Sequence, residues 1–292
     1  MKRRGEKAIE FGLAFSALVT VLTTVGIIWV LVSEAWGFFA EIPLSQFLFD
    51  TAWTPLFAQK HYGILPLLSG TLLTTFIALL TAVPLGLIIA IYLSEYADKR
   101  LRNALKPALE VLAAVPTVVY GFFALTVVTP FLQHFIPGLG SFNALSAGLV
   151  MGIMIIPVIS SMSEDALNAV PKSLREASYG MGATKFQTAF RVVVPAASSG
   201  ILVSIILGIA RAIGETMIVA IAAGQQPTLT FDPREAVETI TAYIVQVSLG
   251  DVPHDSMEYK TVFAAGITLF LMTFLLNNIS FWIRKKYQER YD

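Results

Sequence analysis

The residues of this sequence best suited to do chemistry are Arg211 and Glu215, which lie within a long apolar stretch. An ionised side chain at the centre of a bilayer costs about 2.5–3.5 kcal/mol even on permissive insertion scales, so two of them need a compensating role. A guanidinium stays charged and presents several donors in a plane, which suits a phosphate-like oxyanion. The spacing predicts that both side chains share one helix face, where Glu215 would orient Arg211 and keep anion binding reversible.

The alternative to a functional role is that these two residues form an internal ion pair whose attraction offsets its own desolvation cost. Arg before Glu is, however, the weaker order for an i,i+4 pair, and a buried ion pair replaced by apolar residues is often no less stable. Gly208 with Ala212, and Ala210 with Gly214, form small-xxx-small pairs that permit close helix approach. The pattern therefore predicts that Arg211 faces a protein interior or a wet pathway and not lipid.

Neutral hydroxyl donors along the same path would complete an anion site. Thr71, Thr74 and Thr75 in the second apolar stretch, and Thr117 and Tyr120 beside a proline in the third, are the candidates. Serine and threonine are common in membrane helices and often bond their own backbone, which is the alternative role for each candidate threonine.

The elements that must position these side chains are membrane helices. The chain of 292 residues is 55% hydrophobic and 14% charged, with a mean hydropathy of +0.71, whereas a soluble domain has about 25% charged residues. A transmembrane helix needs roughly 20 apolar residues. Six stretches meet this requirement and predict an all-α integral membrane protein, with spans at 8–32, 67–93, 108–132, 142–162, 198–224 and 262–283.

Lysine and arginine are distributed unevenly about these spans, which predicts the orientation of the chain. With the N-terminus inside, sixteen of the 20 fall in inner segments and three in outer segments, the last being Arg211. Both termini are therefore expected in the cytoplasm, in a multi-pass protein of the cell membrane surrounded by lipid. The formal net charge of zero gives no sign of a nucleic-acid partner, and none is expected. The absence of cysteine excludes disulfides and thiol chemistry.

Two outer segments are longer than simple turns. The first, 33–66, is rich in aromatic residues, which are expected at the membrane–water boundary as an interfacial belt, with a surface for a partner as the alternative. In the second, 225–261, Asp232 before Pro233 and Glu235 predicts a helix start, and Gly250 predicts its end. That helix would pack against the bundle or receive an external partner.

The stretch between the fourth and fifth spans, 164–197, has the residue pattern of a docking loop and is called the coupling loop below. It resembles the sequence E-A-A, three residues, G, nine residues, I-x-L-P that permeases of binding-protein-dependent ABC importers carry. Serine for alanine, and valine for isoleucine and leucine, are mild departures. The resemblance implies that this loop, with Arg175 beside it, contacts a separate ATPase. The matching positions are Glu176, Ala177, Ser178, Gly182, Val192, Val194 and Pro195.

Further segments narrow the resemblance. Those at 62–72, 83–86, 92–96 and 116–122, with the run from Arg211 to Met217, are similar to the C-type permease subunit (PstC) of the phosphate-specific ABC importer. This likeness implies a type I importer fold and a heterodimer with an A-type sister permease. It also implies two copies of an ATPase subunit inside and a phosphate-binding protein outside. Arg211 and Glu215 would then line the path for inorganic phosphate, and Glu176, Ala177 and Gly182 would contact the ATPase.

The chain is expected to divide into 1–66, the first transmembrane helix with the aromatic outer segment, and 67–292, a permease core of five transmembrane helices with the coupling loop. It is not expected to be an enzyme, because it has no G-x-x-x-x-G-K-[ST] loop and no H-E-x-x-H motif. No cofactor, metal or catalytic residue is expected. The alternatives are a permease for another oxyanion such as molybdate or sulfate, an ion-coupled carrier or channel, and a membrane-embedded enzyme.

Overall fold

The computed structural model describes residues 2–253 and 256–287, and these residues form helices without a β-strand, joined by connections of which the longest are 50–64 and 223–239. The prediction of an all-α fold is confirmed. Turns of π-helix at Tyr92–Tyr96, Ala124–Val128 and Ala189–Val193 continue or join α-helices. The α-helices are α1 (Lys2–Phe39), α2 (Leu44–Phe49), α3 (Leu65–Ile91), α4 (Lys99–Ala114), α5 (Thr117–Phe123), α6 (Thr129–Gln133), α7 (Ala144–Ala169), α8 (Lys172–Gly180), α9 (Lys185–Thr188), α10 (Val194–Ala196), α11 (Ser198–Ile213), α12 (Met217–Ala222), α13 (Ile240–Leu249) and α14 (Met257–Tyr287).

Among the described residues, four helices are long and apolar enough to cross a membrane, namely α1, α3, α7 and α14. Two bent pairs bring the number of crossings to as many as six: α4 meets α5–α6 at 86°, and α9–α10 meets α11 at 71°. The predicted spans at 8–32, 67–93, 142–162 and 262–283 are confirmed. The predicted spans at 108–132 and 198–224 are not single helices, because the helix breaks after Ala114 in the first and after Ile213 in the second.

The break between α4 and α5 is caused by Pro116. A proline ring disfavours helical backbone in the residue before it, and Val115 is extended, with ψ at 130°. Pro116 also lacks the N–H that an i→i−4 bond requires. The Tyr120 hydroxyl spans the break and donates a 2.7 Å hydrogen bond to the Leu112 carbonyl oxygen. This bond stabilises the angle of the bend.

Helices α3 and α7 form the centre of the bundle and approach each other along a line of glycines. A Cβ on Gly148 would lie 2.7 Å from Ile77 Cβ, and one on Gly152 would lie 2.7 Å from the Ala78 carbonyl oxygen. Only glycine therefore allows the two backbones to meet at these points. Because lipid tails are as apolar as the side chains, close packing of this kind is what associates helices within a membrane.

The aromatic outer segment forms a buried cluster at the end of the bundle opposite the coupling loop, called the outer end below. Phe38, Phe47 and Trp53 are at most 2% exposed, and Trp53 packs edge-on against Tyr243 of α13, with ring centroids 5.0 Å apart. Edge-to-face aromatic pairs are favourable beyond the area they bury. The interpretation of this segment as an interfacial belt is therefore wrong for these residues, although it fits the exposed Phe49.

The helix in the second outer segment begins later than predicted. α13 starts at Ile240, and the Thr239 hydroxyl caps it by accepting a 3.2 Å hydrogen bond from the Ala242 N–H. Asp232 does not start a helix, because its carboxylate accepts from the backbone N–H and the guanidinium of Arg234 in a local turn. The predicted end is confirmed, since the helix stops at the residue before Gly250.

Candidate functional site

Arg211 lies in the last turn of α11 and is exposed on the surface of the chain. A cation is favoured at a helix C-terminus, where the last carbonyl groups carry partial negative charge. The guanidinium has no hydrogen-bond or ion-pair partner among the described residues. Ile209 and Ile213, two positions away on either side, line an apolar groove of about 500 Å³ between α3, α11 and α14, so Arg211 points away from that groove.

Glu215 lies beyond the end of α11 and does not share a helix face with Arg211. Its Oε1 accepts hydrogen bonds from the backbone N–H groups of Met217 at 3.1 Å and Ile218 at 3.3 Å, which are free donors at the start of α12. The predicted common face is therefore wrong, because the helix ends at Ile213 and the chain turns before α12. Glu215 is 8% exposed and stabilises the turn.

The first turn of α13 connects two of the predicted path residues. Thr71 of α3 donates to the Leu67 carbonyl oxygen at 2.7 Å and accepts from the Ile240 N–H at 3.1 Å. The Thr241 hydroxyl in turn donates to the Glu215 carbonyl oxygen at 2.6 Å. Thr71 and the turn at Glu215 are therefore held on opposite sides of one helix start.

The other predicted hydroxyl donors differ in their availability. Thr74 is buried and donates to the Gly70 carbonyl oxygen at 2.8 Å, and the Tyr120 hydroxyl donates to Leu112 across the bend. Thr117, at the start of α5, has no hydrogen-bond partner for its hydroxyl among the described residues. Thr75 is buried, and its hydroxyl also has no partner among the described residues, but it lines the apolar groove beside Ile213. Of these four side chains, Thr75 and Thr117 keep a free donor.

The coupling loop is largely helical, and Arg175 joins it to the bundle. Arg175 donates from Nε at 3.2 Å and from Nη2 at 2.8 Å to Glu95 Oε1, in the π-helical turn that follows α3. It also donates to the carbonyl oxygens of Val170 at 2.6 Å and Leu167 at 2.8 Å, at the end of α7. Arg175 is thus turned inwards, and one guanidinium ties α8 to both central helices.

Glu176 and Ala177 are exposed on α8, and Pro195 is exposed on α10. Gly182 follows α8 with φ at +86°, a conformation that favours glycine. Its N–H donates to the Tyr179 carbonyl oxygen, and the next N–H donates to the Ser178 carbonyl oxygen. These two bonds form a Schellman motif, which explains physically why the pattern has glycine at this position.

Ser178, which replaces the alanine of the importer pattern, is buried on the inner side of α8. Its hydroxyl lies 2.9 Å from the Thr188 hydroxyl of α9, and both side chains are nearly inaccessible to solvent. The hydroxyl group introduced by serine in place of alanine therefore has a hydrogen-bond partner within the same loop. The outer side of the loop instead carries exposed apolar side chains, namely Met181, Phe186 and Phe190.

Sequence reasoning missed a second group of charges near the coupling loop. Glu164 of α7 is fully buried, and its carboxylate pairs with Arg102 at 2.6 Å and with Lys106 at 3.4 Å, both on α4. The available signal was the i,i+4 spacing of Arg102 and Lys106 on one face of an amphipathic helix. The pairing fixes α4 to α7, because a buried carboxylate is costly without its cations.

Comparison with known proteins agrees with this geometry. Residues 82–291 match the profile of the family described as binding-protein-dependent transport system inner membrane component. The chain is 38% identical to the probable ABC transporter permease protein YqgH of Bacillus subtilis over 79% of this chain and 74% of that protein. It is 34% identical to the phosphate transport system permease protein PstC of Haemophilus influenzae over 94% of this chain and 92% of that protein.

Solved structures show the same fold at low sequence identity. A bacterial alginate ABC transporter in complex with a pentasaccharide-bound periplasmic protein aligns with a TM-score of 0.59 at 19% identity, over 92% of this chain and 94% of that chain. The inward-facing MetNI methionine ABC transporter aligns with a TM-score of 0.53, over 76% of this chain and 94% of that chain. The fold is that of type I ABC importer permeases. This multi-pass membrane protein belongs to the family of binding-protein-dependent transport system inner membrane components.

Proposed function

We propose that the chain is the transmembrane permease subunit of an ATP-driven importer of inorganic phosphate. It forms half of the translocation path and receives motion from a separate ATPase. Several relatives that are 32–34% identical over most of the chain are named phosphate transport system permease protein PstC, which supports phosphate as the substrate. The chain carries no nucleotide-binding loop of its own, so ATP hydrolysis belongs to another subunit.

The observation that carries the proposal is the unpaired guanidinium of Arg211. Glu215 binds the backbone of α12, so it leaves Arg211 free to contact an anion. A planar guanidinium can donate two parallel hydrogen bonds to a phosphate oxyanion. In this proposal Arg211 binds phosphate in transit, and Glu215 holds the turn that positions the end of α11.

The hydroxyl residues of the proposed path differ in whether the hydroxyl already donates a hydrogen bond. Thr117 can donate to an anion directly, because its hydroxyl has no partner among the described residues. Thr71, Thr74 and Tyr120 already donate to backbone carbonyl oxygens, so they shape the path and supply at most weak contacts. Thr75 also has a free hydroxyl, but it lines the apolar groove from which Arg211 points away. Thr117 is therefore the hydroxyl whose removal should affect phosphate binding most.

The coupling loop is proposed to dock on the ATPase through its exposed side. Glu176, Ala177, Met181, Phe186 and Pro195 present a mixed polar and apolar surface. Arg175 and Gly182 act behind that surface: Arg175 links α8 to α3 and α7, and Gly182 sets the turn after α8. Movement of the docked ATPase would thereby reach the central helices.

The proposed assembly contains an A-type sister permease, two copies of the ATPase subunit and an external phosphate-binding protein. The sister subunit would cover the exposed side of α11, so that Arg211 faces the interior between the two permeases. Both termini would lie in the cytoplasm, as the distribution of Lys and Arg indicates. Segment 1–66 would lie at the periphery, and 67–292 would form the transport core.

Phosphate uptake into proteoliposomes tests this function. The complex that co-purifies with the chain is reconstituted with the binding protein, with ATP inside or omitted, and radiolabelled phosphate is measured with excess sulfate or molybdate as competitors. ATP-dependent uptake that resists both competitors is expected. Arg211→Ala should abolish it while the complex stays assembled, and Arg234→Ala, an arginine of the outer segment, is the matched control.

Other outcomes would overturn specific parts of the proposal. Uptake without ATP would identify a carrier or channel. ATP-dependent uptake of sulfate or molybdate in place of phosphate would keep the architecture and change the substrate. Normal phosphate transport by Arg211→Ala would remove Arg211 from the path.

A further inference from the structure

A small cavity of about 50 Å³ lies at the outer end, between the aromatic outer segment, the chain after α12, and α13. It opens to the surface on the side of Leu56 and Phe57, which are exposed. Glu238 is the one carboxyl group in a wall of aromatic, amide, proline and leucine side chains. The rest of the wall is formed by Trp53, Pro55, Gln225, Pro227, Tyr243 and Gln246.

Two polar atoms of this wall are buried without a partner among the described residues. They are Oε1 of Glu238, an acceptor, and Nε1 of Trp53, a donor, and each residue is 1% exposed. An unpaired buried polar atom costs about 1–3 kcal/mol, so two in one cavity require an explanation. They have complementary hydrogen-bonding roles, and both side chains line the same small space.

One water molecule between the two side chains would satisfy both atoms. A polar cavity needs only about 10–15 Å³ of accessible volume to hold a water, so the space is sufficient. Such a water would accept a hydrogen bond from Trp53 Nε1–H and donate one to Glu238 Oε1. A bare cation is excluded as the bridge, because it cannot accept a hydrogen bond from the indole.

The main chain is fixed on both sides of Glu238. The Val237 N–H donates to the Ala223 carbonyl oxygen at 2.9 Å, and the Ile240 N–H donates to Thr71 at 3.1 Å. The Glu238 carbonyl oxygen also lies against Gly70 of α3, where a Cβ would be 2.2 Å away. The carboxyl group can therefore move only by rotation of its own side chain, unless these backbone contacts break.

No ion pair joins the Glu238 carboxyl group to any described residue. The neighbouring aromatic and amide side chains are neutral, and the Tyr243 hydroxyl is engaged with Thr261 at 2.5 Å. Lys60 and Glu258 at the outer end pair with each other, and Tyr62 lies beside them. Lys260 pairs with Glu41, and Arg234 pairs with Asp232. Burial raises the pKa of Glu238 to about 8.

We propose that Glu238 is a proton-binding site at the outer end of the permease, linked to Trp53 through one buried water molecule. With the proton bound, the carboxyl group is neutral and Trp53 stays packed on Tyr243. Loss of the proton places a charge in an apolar cavity, which draws in further water and loosens the aromatic outer segment from α13. This site goes beyond the proposed function and does not depend on the identity of the transported anion.

The emission of Trp53 tests the site directly in the full-length chain in lipid nanodiscs. The other three tryptophans are exposed and are replaced by Trp29→Phe, Trp36→Phe and Trp282→Phe, so that Trp53 is the sole emitter. Fluorescence is recorded from pH 5.5 to pH 10. One reversible transition near pH 8 is expected, with emission moving to longer wavelength as Trp53 becomes hydrated.

Two matched variants decide the assignment. Glu238→Gln should abolish the transition, whereas Glu235→Gln, an exposed carboxylate three residues earlier, should leave it unchanged. A flat Trp53 emission in the folded protein, or a transition that persists in Glu238→Gln, would overturn the proposal. If the Glu238→Gln variant fails to fold, thermal unfolding of the native chain is measured across the same pH range. A stability that does not change with pH would then overturn the proposal.

Discussion

Arg175 holds Glu95 through two nitrogen atoms, Nε at 3.2 Å and Nη2 at 2.8 Å, and so joins the coupling loop to the end of α3. Glu95 is 5% exposed and Arg175 is 16% exposed, so the pair is shielded from water and salt. Because the same guanidinium also binds two carbonyl oxygens at the end of α7, α8 cannot shift without pulling on both central helices. This connection is a direct side-chain link from the exposed loop to the bundle.

Replacing Glu95 by alanine should therefore separate ATP hydrolysis from transport. The unpaired Arg175 costs about 3 kcal/mol or more, since one partner of a shielded ion pair is left alone. We expect a lower thermal unfolding temperature and less phosphate moved per ATP hydrolysed. Glu95→Ala with Arg175→Ala should be less damaging than the sum of the single changes. Glu110→Ala, an exposed carboxylate on α4, is the control, and equal effects at Glu95 and Glu110 would contradict the prediction.

Gly182→Ala should weaken attachment of the ATPase. A side chain at φ +86° is strained by roughly 1 kcal/mol, and the Schellman bonds that end α8 would be lost or distorted. The measurement is the amount of ATPase that co-purifies with the permease. Gly180→Ala is the matched control, because Gly180 lies inside α8 with open space around its Cβ position. A loss of ATPase in both variants would point to a general effect on α8.

Gly152→Ala should destabilise the centre of the bundle. The new Cβ would meet the Ala78 carbonyl oxygen at 2.7 Å and Thr81 Cβ at 2.9 Å, and a backbone atom cannot move aside as a side chain can. Overpacking of this kind costs about 1–3 kcal/mol. Thermal unfolding in detergent measures it. Gly26→Ala on α1, where the added Cβ meets nothing within 4 Å, should unfold like the native chain.

The stability of the permease should fall as pH rises from about 4.5 to about 8. Glu238 has a pKa of about 8 in the folded protein, against 4.5 when it is exposed. Between these values the unfolded chain has released the proton and the folded chain has kept it, so rising pH favours unfolding. Above about pH 8 Glu238 is ionised in both the folded and the unfolded chain, so its contribution to the free energy of unfolding no longer changes with pH.

Glu238→Gln should remove that slope and should be more stable than the native chain at pH 9. Unfolding temperatures at pH 5, 7 and 9 for the two proteins give the comparison. If the native chain and Glu238→Gln have the same unfolding temperature at all three pH values, folding does not raise the pKa of Glu238.

Four straight spans could be predicted because a long apolar run has few ways to satisfy its backbone in lipid other than a helix. The bend at Pro116 could not be predicted from the apolar pattern, since apolar residues continue across it. A proline by itself does not predict a break either, because Pro84 and Pro157 remain inside α3 and α7. What distinguishes Pro116 is the three-dimensional contact of Tyr120 with Leu112, which spacing does not reveal.

The prediction for Glu215 failed for a related reason. A four-residue spacing places two side chains on one face only while the helix continues, and α11 ends between them. The pairs of Arg175 with Glu95 and of Arg102 with Glu164 join residues far apart in the chain, so a single sequence cannot align them. The coupling-loop pattern, in contrast, is local, and its glycine proved to occupy the one position where the backbone needs it.

The two breaks lie within crossings and not at their ends. At 1.5 Å per residue, α11 is about 24 Å long and Thr117–Gln133 is about 25 Å long, against roughly 30 Å of hydrocarbon in an average bilayer. Neither helix alone crosses such a bilayer, so the helix beyond the break completes the span. Non-helical backbone at membrane depth is tolerated only where it is buried in protein or lines a water-filled cavity. The interruption after Ile213 therefore argues that the end of α11, with Arg211 in its last turn, is sheltered from lipid.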